Sequence, residues 1–344
     1  MVVTRVTSHK TVIEQAGIRV VPLYKLRRSS LNPFREIAAL SELVTIYRKE
    51  KPDLVHQVAL KPVIYGSIAA HLSNIALIVN ALGGLGLIFS SQSSFARLLK
   101  PALGGAFRLI SNKSGTRLIL QNTNDVTVVA QAGVDRRNIR LIRSSGVNVL
   151  EYGVREPPSG VPIILLASRM LWEKGVGEFV KAANLLGKQG VSARFVLVGQ
   201  PDCENPSAIT HKQLQAWNDS GEIEWWGHRD NMPEVLSQAK IVCLPSYYGE
   251  GIPKVLVEAM ASARPIVTTD MPGCSEVVRS GKNGLMVKPR DVEGLARALK
   301  VLLLDDSKCQ QMGKEGRQIA EKEYSLTRVV AETMVIYREL LGKD

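Results

Sequence analysis

Short apolar runs alternate with longer amphipathic segments in the second half of the chain. Residues 162–170 (PIILLASRM) are almost wholly apolar, and residues 175–190 (GVGEFVKAANLLGKQG) carry apolar side chains at helical spacing. The alternation continues through five further runs: ARFVLVG (193–199), IEWWG (223–227), AKIVCLPS (239–246), RPIVTTD (264–270) and GLMVKP (284–289). Buried strands separated by helices are typical of parallel sheets, so the pattern predicts a doubly wound α/β domain.

The first half follows the same pattern less regularly. Its strand-like runs are GIRVVPL (17–23), PDLVHQV (52–58), ALIVNAL (76–82), TRLILQN (116–122) and NIRLIRS (138–144). A doubly wound domain usually opens with a strand, a Gly-rich turn and a helix. Here VVTRVTSHK runs directly into GIRVVPL. We therefore expect the first βα unit of this half to be missing, through a late start of the sequence rather than through a rearranged domain.

The stretch EYGVREPPSG (151–160) separates the two halves. It predicts an N-terminal Rossmann-like domain over residues 1–152 and a second one over 153–324, facing each other across a cleft. The segment SLTRVVAETMVIYRELL (325–341) has the spacing of an amphipathic helix. We expect the C-terminal residues 325–344 to pack back toward the N-terminal domain.

Composition and charge narrow the class of protein. With 45% hydrophobic and 22% charged residues the chain is neither disordered nor of low complexity. Its four scattered cysteines form no Cys-x-x-Cys motif, which favours a reducing, cytoplasmic compartment. Residues 1–150 contain 20 Lys and Arg against 7 Asp and Glu, or +13, whereas the rest nets −1. This basic half predicts an anionic partner, with a merely solvated basic face as the alternative.

Candidate chemistry is concentrated in LPSYYGEGIPKVLVEAMASARPIVTTDMPGCSEVV (244–278). Two carboxylates, Glu250 and Glu258, lie eight positions apart in it. The residues between them that would open a helix are Gly251, Ile252, Pro253 and Lys254. A helix N-terminus offers free N–H groups and a positive dipole end, which suit a diphosphate. From spacing alone, an ordinary junction between a loop and a helix remains the alternative.

This stretch resembles the signature of the retaining family 4 glycosyltransferases with the GT-B fold, in which seven residues separate two glutamates. The surrounding LPS, EG-x-P, EAMA, PGC-x-E-VV and NGLMV match as well. Upstream, SRMLWEKGVGEFVKAA (168–183) resembles the phosphate-binding element of the family. Segments in both halves, among them LILQNTNDV (118–126), resemble its capsular-polysaccharide branch. The likeness implies transfer of a hexose or N-acetylhexosamine from a UDP-sugar to a saccharide linked to undecaprenyl diphosphate.

The resemblance also implies a role for each matching residue. Arg169 and Lys174 would neutralise the departing nucleoside diphosphate, in place of a metal ion. Glu258 would accept hydrogen bonds from the ribose hydroxyls. Glu250 would hold the donor sugar and stabilise an oxocarbenium-like state. The chain contains no Asp-x-Asp motif, so we expect no metal and no cofactor besides the UDP-sugar co-substrate.

The acceptor side is less well defined. Many relatives carry His where this chain has Gly83, just before Gly84. Candidate acceptor-binding residues are Gly84, His56 and Lys61. The last two are near a predicted strand end that faces the cleft, and for them a structural role is the favoured alternative. Gly83 and the missing first unit keep a second hypothesis open, in which an inactive remnant binds nucleotide. A nucleotide-sugar epimerase is a weaker alternative, and no module for nucleic acid is present.

A lipid-linked acceptor would explain the positive net charge of the first half of the chain. The segment 93–117 (SSFARLLKPALGGAFRLISNKSGTR) combines apolar residues, among them Phe95 and Phe107, with five Lys and Arg residues. We expect it to lie on an anionic membrane surface, against the alternative of an ordinary core helix. The enzyme would then be cytoplasmic and peripheral on the inner face of the bacterial cytoplasmic membrane. The longest uncharged stretch (72–96) is interpreted as a strand and a loop rather than a membrane helix.

Overall fold

A computed structural model of the chain describes residues 1–6, 9–26, 32–85, 94–249 and 251–342, and of residues 94–100 and 102 only the backbone. The strands of the N-terminal half are β1 (Val2–Thr4), β2 (Val20–Pro22), β3 (Leu54–Val58), β4 (Leu77–Leu82), β5 (Thr116–Leu120) and β6 (Ile139–Leu141). Its helices are α1 (Lys10–Gln15), α2 (Pro33–Glu50), α3 (Leu60–Leu72), α4 (Ser94–Ser111) and α5 (Thr123–Gln131).

The strands of the C-terminal half are β7 (Ile163–Ala167), β8 (Arg194–Val198), β9 (Glu224–Trp225), β10 (Ile241–Leu244), β11 (Ile266–Thr269) and β12 (Gly284–Val287). Its helices are α6 (Val176–Lys188), α7 (His211–Asp219), α8 (Met232–Gln238), α9 (Lys254–Ala261), α10 (Cys274–Val277), α11 (Val292–Leu304) and α12 (Asp306–Glu323). A last helix, α13 (Leu326–Leu341), follows.

Two parallel sheets organise the chain, one in each half. The C-terminal sheet has six strands in the order β12-β11-β10-β7-β8-β9, and every pair in it is parallel. Helices cover both of its faces, with one apolar cluster on each side. The doubly wound α/β prediction is thus confirmed. Each apolar run named for this half contains one strand, and in the central strands β7, β10 and β11 every residue is buried, which makes their signal the clearest.

The N-terminal sheet is divided into two parts. Strands β3-β4-β5-β6 form a four-stranded parallel sheet, and β1 pairs with β2 in a separate parallel pair. The first residues do not run directly into GIRVVPL, because Val2–Thr4 form a strand and Lys10–Gln15 a helix. The strand was missed because three residues are fewer than a strand signal needs. The absence of an earlier first βα unit stays a prediction.

The chain crosses between the halves twice, and the two crossings lie side by side. The backbone N–H of Val147 donates to the Tyr324 carbonyl at 2.9 Å, and that of Leu326 donates to the Val147 carbonyl at 2.8 Å. Beyond the second crossing, α13 packs Ile336 against Val79 and Ile119 of the N-terminal sheet. Glu339 on the same helix accepts hydrogen bonds from Arg117 and Arg140, each at 2.7 Å. The C-terminal helix therefore fastens the second half to the first.

Helix α4 differs from the expected interfacial element. Phe107 is 1% exposed and packs in the core with Leu118, so it is not available to a membrane. Leu109 is 75% exposed, and the neighbouring Arg108 is also exposed. The side chain of Phe95 lies outside the described residues. No helix in the described ranges is long and apolar enough to cross a bilayer, and β4 accounts for part of the stretch 72–96.

Candidate active site

The loops that leave the carboxyl ends of strands in the two sheets meet each other. The side chain of Gln121, just after β5, accepts a hydrogen bond from the backbone N–H of Ile252 at 3.1 Å. A Cβ atom on Gly251 would lie 1.8 Å from the carbonyl oxygen of Gly83, just after β4, so only glycine allows this approach. Ligands of open α/β sheets bind at this edge. The contact therefore shows where the functional edges of the two sheets meet, at the place where the sequence predicts a cleft.

The N-terminal side of this meeting place is the loop that contains Gly83 and Gly84. The backbone N–H of Leu85 donates to Asp125 Oδ2 at 3.2 Å, and burial raises the pKa of Asp125. Gly84 has φ +130°, where a side chain would be strained. Among the described residues, a Cβ on Gly83 would meet only the Gln121 amide, at 3.9 Å, so these residues leave room for a side chain at that position. Gln121 thus borders the place where many relatives carry His.

Arg169 and Lys174 both lie on the connection that leaves β7. Arg169 Nη1 contacts Asp202 Oδ2 at 2.5 Å, and Arg169 keeps about half of its side chain exposed. Lys174 ends a short 3-10 helix (Trp172–Lys174), directly before α6. Gly175 follows with φ +77°, and a Cβ there would lie 2.1 Å from the Pro245 carbonyl. The glycine lets this connection approach the loop after β10, from which Gly251 and Ile252 come.

The second turn of α9 carries the second glutamate of the pair. Glu258 is 5% exposed, and its Oε1 accepts from Tyr152 Oη at 2.8 Å and contacts Lys254 Nζ at 3.2 Å. Pro253 caps the helix, so this position brings no N–H. Of the amides expected to face a diphosphate, that of Ile252 is already bound to Gln121. Glu250 lies outside the described residues, so its role stays a prediction.

The two side chains expected on the acceptor side each have a partner. His56 Nδ1 lies 2.5 Å from Tyr337 Oη of α13, and burial lowers the pKa of His56. Lys61 Nζ contacts Glu36 Oε1 at 3.0 Å. These contacts suit structural roles as well as acceptor binding. Neither residue is among those that join the two halves at Gly83, Gln121 and Gly251.

Hydrogen bonds from Thr123 and Arg143 to Glu276 also join the two halves, and the sequence did not predict them. We call this set of contacts the Glu276 clamp. Glu276 Oε1 accepts from the backbone N–H of Thr123 at 2.8 Å and also from the Thr123 hydroxyl. Glu276 Oε2 accepts from Arg143 Nε at 3.2 Å. Burial alone would raise the pKa of Glu276, but the hydrogen bonds from Thr123 and Arg143 hold it below its usual range. Both partners belong to the N-terminal half, and only the fold brings them to Glu276.

In the ranges that the structure covers, no group of three or more His, Cys, Asp or Glu side chains could hold an ion. Metal independence remains a prediction from the Arg169 and Lys174 pair.

Comparison with known proteins identifies the family. The model of glycosyl transferases group 1 matches residues 153–319, and that of glycosyl transferase 4-like proteins matches residues 1–113. A Campylobacter jejuni protein is 29% identical over 90% of this chain and 82% of its own. Its name is N,N'-diacetylbacillosaminyl-diphospho-undecaprenol alpha-1,3-N-acetylgalactosaminyltransferase. An Escherichia coli UDP-Gal:alpha-D-GlcNAc-diphosphoundecaprenol alpha-1,3-galactosyltransferase is 22% identical over 91% of this chain and 82% of its own.

The fold has a counterpart among solved structures. Anabaena HepE, in complex with UDP and glucose, superposes with a TM-score of 0.76 at 20% identity. The match covers 95% of this chain and 89% of HepE. The two sheets are therefore arranged as in a known GT-B protein.

Proposed function

The chain belongs to the group 1 glycosyltransferases of GT-B fold, and on that basis we propose that it acts on a UDP-sugar and a lipid-linked acceptor. It moves a hexose or N-acetylhexosamine to a saccharide on undecaprenyl diphosphate, with retention of the anomeric configuration. The relatives named above act on acceptors of this class and form alpha linkages. The observation that carries the proposal is the contact between the two halves, in which Gly251 of the donor half approaches Gly83 and the N–H of Ile252 donates to Gln121.

The donor diphosphate binds between the connection after β7 and the loop after β10. Arg169 is held by Asp202 and half exposed, so it can turn one face of its guanidinium to the diphosphate while keeping this partner. Lys174 adds a second positive charge on the same connection. The attraction of Arg169 and Lys174 for the diphosphate grows as the bond between the sugar and the diphosphate breaks, because negative charge develops on the leaving diphosphate. The reaction therefore needs no metal ion.

Glu258 binds the ribose, and Glu250 contacts the sugar that is transferred. Glu258 is a buried carboxylate on the helix that follows the glycine loop, and a carboxylate accepts well from a pair of hydroxyls. Glu250 keeps the role that the family resemblance implies, in which its charge stabilises an oxocarbenium-like state.

The N-terminal half binds the acceptor and lies against the inner face of the cytoplasmic membrane. Its net charge of +13 over residues 1–150 and the exposed pair Arg108 and Leu109 support this placement. Each basic side chain near an anionic surface contributes about 1 kcal/mol. Flotation with vesicles containing 30% anionic lipid, against neutral vesicles, tests the point. Equal recovery with both would contradict an electrostatic attachment.

The central experiment measures donor binding and transfer together. Thermal unfolding of the wild type and of Glu258→Ala is followed with UDP, GDP and ADP. UDP at a hundred times its Kd should stabilise the wild type by about 2.7 kcal/mol, and the variant by much less. Radiolabelled UDP-sugars are then offered with an undecaprenyl-diphosphate saccharide. Stabilisation without transfer would support the nucleotide-binding remnant instead, and no stabilisation by any nucleotide would contradict the donor site.

A further inference from the structure

Tyr152 belongs to the first crossing between the halves, yet its side chain reaches helix α9. Its hydroxyl donates to Glu258 Oε1 at 2.8 Å, in a buried contact between residues far apart in sequence. Lys254 Nζ contacts the same oxygen at 3.2 Å. Oε1 therefore has two partners. Among the described residues, the side-chain hydrogen bond and the ion pair of Glu258 both go to Oε1 and leave Oε2 for a ligand.

The position of Tyr152 is itself firmly held. Its carbonyl accepts from Arg317 Nη1 at 2.6 Å, and the same guanidinium also donates to the carbonyl of Ala261 at the end of α9. The ring is 6% exposed and packs in the cluster that contains Val147 and Tyr324. Because both the backbone and the ring are fixed, the hydroxyl is a donor at a defined place. Burial raises the pKa of Tyr152, so the hydroxyl keeps its proton.

We propose that Tyr152 is a positioning residue that holds Oε1 of Glu258, so that Oε2 faces the two ribose hydroxyls of a bound nucleoside diphosphate. The inference rests on the proposed function, in which Glu258 binds the ribose. Without this hydrogen bond, the partner of Oε1 that remains among the described residues is Lys254, whose side chain is 66% exposed and fixes the position of Oε1 poorly. The crossing between the halves then contributes directly to recognition of the ribose.

The test compares Tyr152→Phe with the wild type in calorimetric titrations of two probes, UDP and 2′,3′-dideoxy-UDP. The dideoxy compound keeps the base and the diphosphate but lacks both hydroxyls that Glu258 would bind. In Tyr152→Phe the affinity for UDP should fall roughly tenfold, the scale of one hydrogen bond to a charged group. The affinity for 2′,3′-dideoxy-UDP should stay unchanged. A merely structural role would weaken both probes equally, and that result, or no change for either, would overturn the proposal.

Two further variants distinguish a failure of the inference about Tyr152 from a failure of the proposed role of Glu258. Tyr324→Phe removes a different buried hydroxyl of the same cluster, one that donates to the Glu276 carbonyl at 2.8 Å, and it should leave both affinities unchanged. Glu258→Ala should abolish the preference for UDP over the dideoxy compound. If Glu258→Ala keeps that preference, the ribose role of Glu258 fails, and the inference about Tyr152 fails with it. If Glu258→Ala loses it while Tyr152→Phe matches the wild type, only the inference about Tyr152 fails.

Discussion

The two sheets of this protein are built from the same alternation of strand and helix, but only one of them is continuous. In the C-terminal sheet, β7 lies between β8 and β10 and pairs with both. The corresponding place in the N-terminal sheet, between β1 and β3, is a cavity of about 1100 Å³. Among the side chains around it are those of Val3, Leu54 and Gln57. The C-terminal sheet is thus continuous through β7, whereas the N-terminal strands form two separate sheets.

The cavity is lined by apolar side chains and also by a polar side chain that lacks hydrogen-bond partners among the described residues. Gln57 is 5% exposed, and its amide nitrogen and oxygen find no hydrogen-bond partner in the described part of the chain. By contrast, each residue of β7 is buried among neighbours on both faces. We therefore expect the two halves to respond differently to matched substitutions.

The largest effect should come from truncating leucines in the two sheets. Leu165 of β7 is fully buried, and Leu165→Ala should lower the free energy of unfolding by about 3 kcal/mol, because a new cavity forms in packed surroundings. Leu54→Ala should cost only about 1 kcal/mol, since atoms beside an existing cavity lack partners on one side. Urea unfolding at 25 °C measures both. Equal losses would mean that the N-terminal half is packed as tightly as the C-terminal half.

A smaller effect is expected where the halves are clamped together. Glu276→Gln removes the charge that Arg143 contacts and should cost about 1.5 kcal/mol at pH 7. The pKa of Glu276 is lower in the folded protein than the ordinary 4.5, so its contribution is fully present above pH 4.5 and is lost as pH falls through the lowered value. The stability difference between wild type and variant, followed by calorimetry from pH 7 to pH 3, should therefore shrink. A difference that stays constant would exclude this carboxylate as the cause.

The smallest effect should be a gain. Gln57→Leu replaces two unsatisfied polar atoms in the wall of the cavity with apolar ones, and it should stabilise the protein by about 1 kcal/mol. Asn80→Leu is the matched control, because Asn80 is equally buried but exchanges hydrogen bonds with Ser67. The control should destabilise. If Gln57→Leu destabilises too, Gln57 has partners, such as ordered water, that offset its burial.

The strands were the predictable part of the molecule, and the contacts between the halves were not. Runs such as IILLA in β7 are apolar throughout because both faces are covered, and this signal survives in a single sequence. The motif that contains Glu258 could likewise be identified from the sequence. Its partner Tyr152 was not, because it lies outside the motif and approaches only after the chain has crossed between the halves.

The same limit applies to the place where the functional edges of the two sheets meet. Gln121 stood in a segment that the sequence singled out, and its place after a strand assigns it to the functional edge of its sheet. The hydrogen bond from Ile252 to Gln121 depends on how the two sheets face each other, and no local sequence pattern encodes that arrangement. The pairings of Glu276 with Thr123 and of His56 with Tyr337 were hidden for the same reason.

The paired crossings have a mechanical consequence. Because the segments at Val147 and Leu326 are hydrogen-bonded to each other, they form one joint connection between the halves rather than two independent linkers. Two crossings bonded at one place restrict the relative motion of the halves more than two separate linkers would. Tyr152 lies five residues from this place, and its ring packs in the same cluster as Val147. The hydroxyl that we propose holds Glu258 is thus tied to the point where the halves are joined.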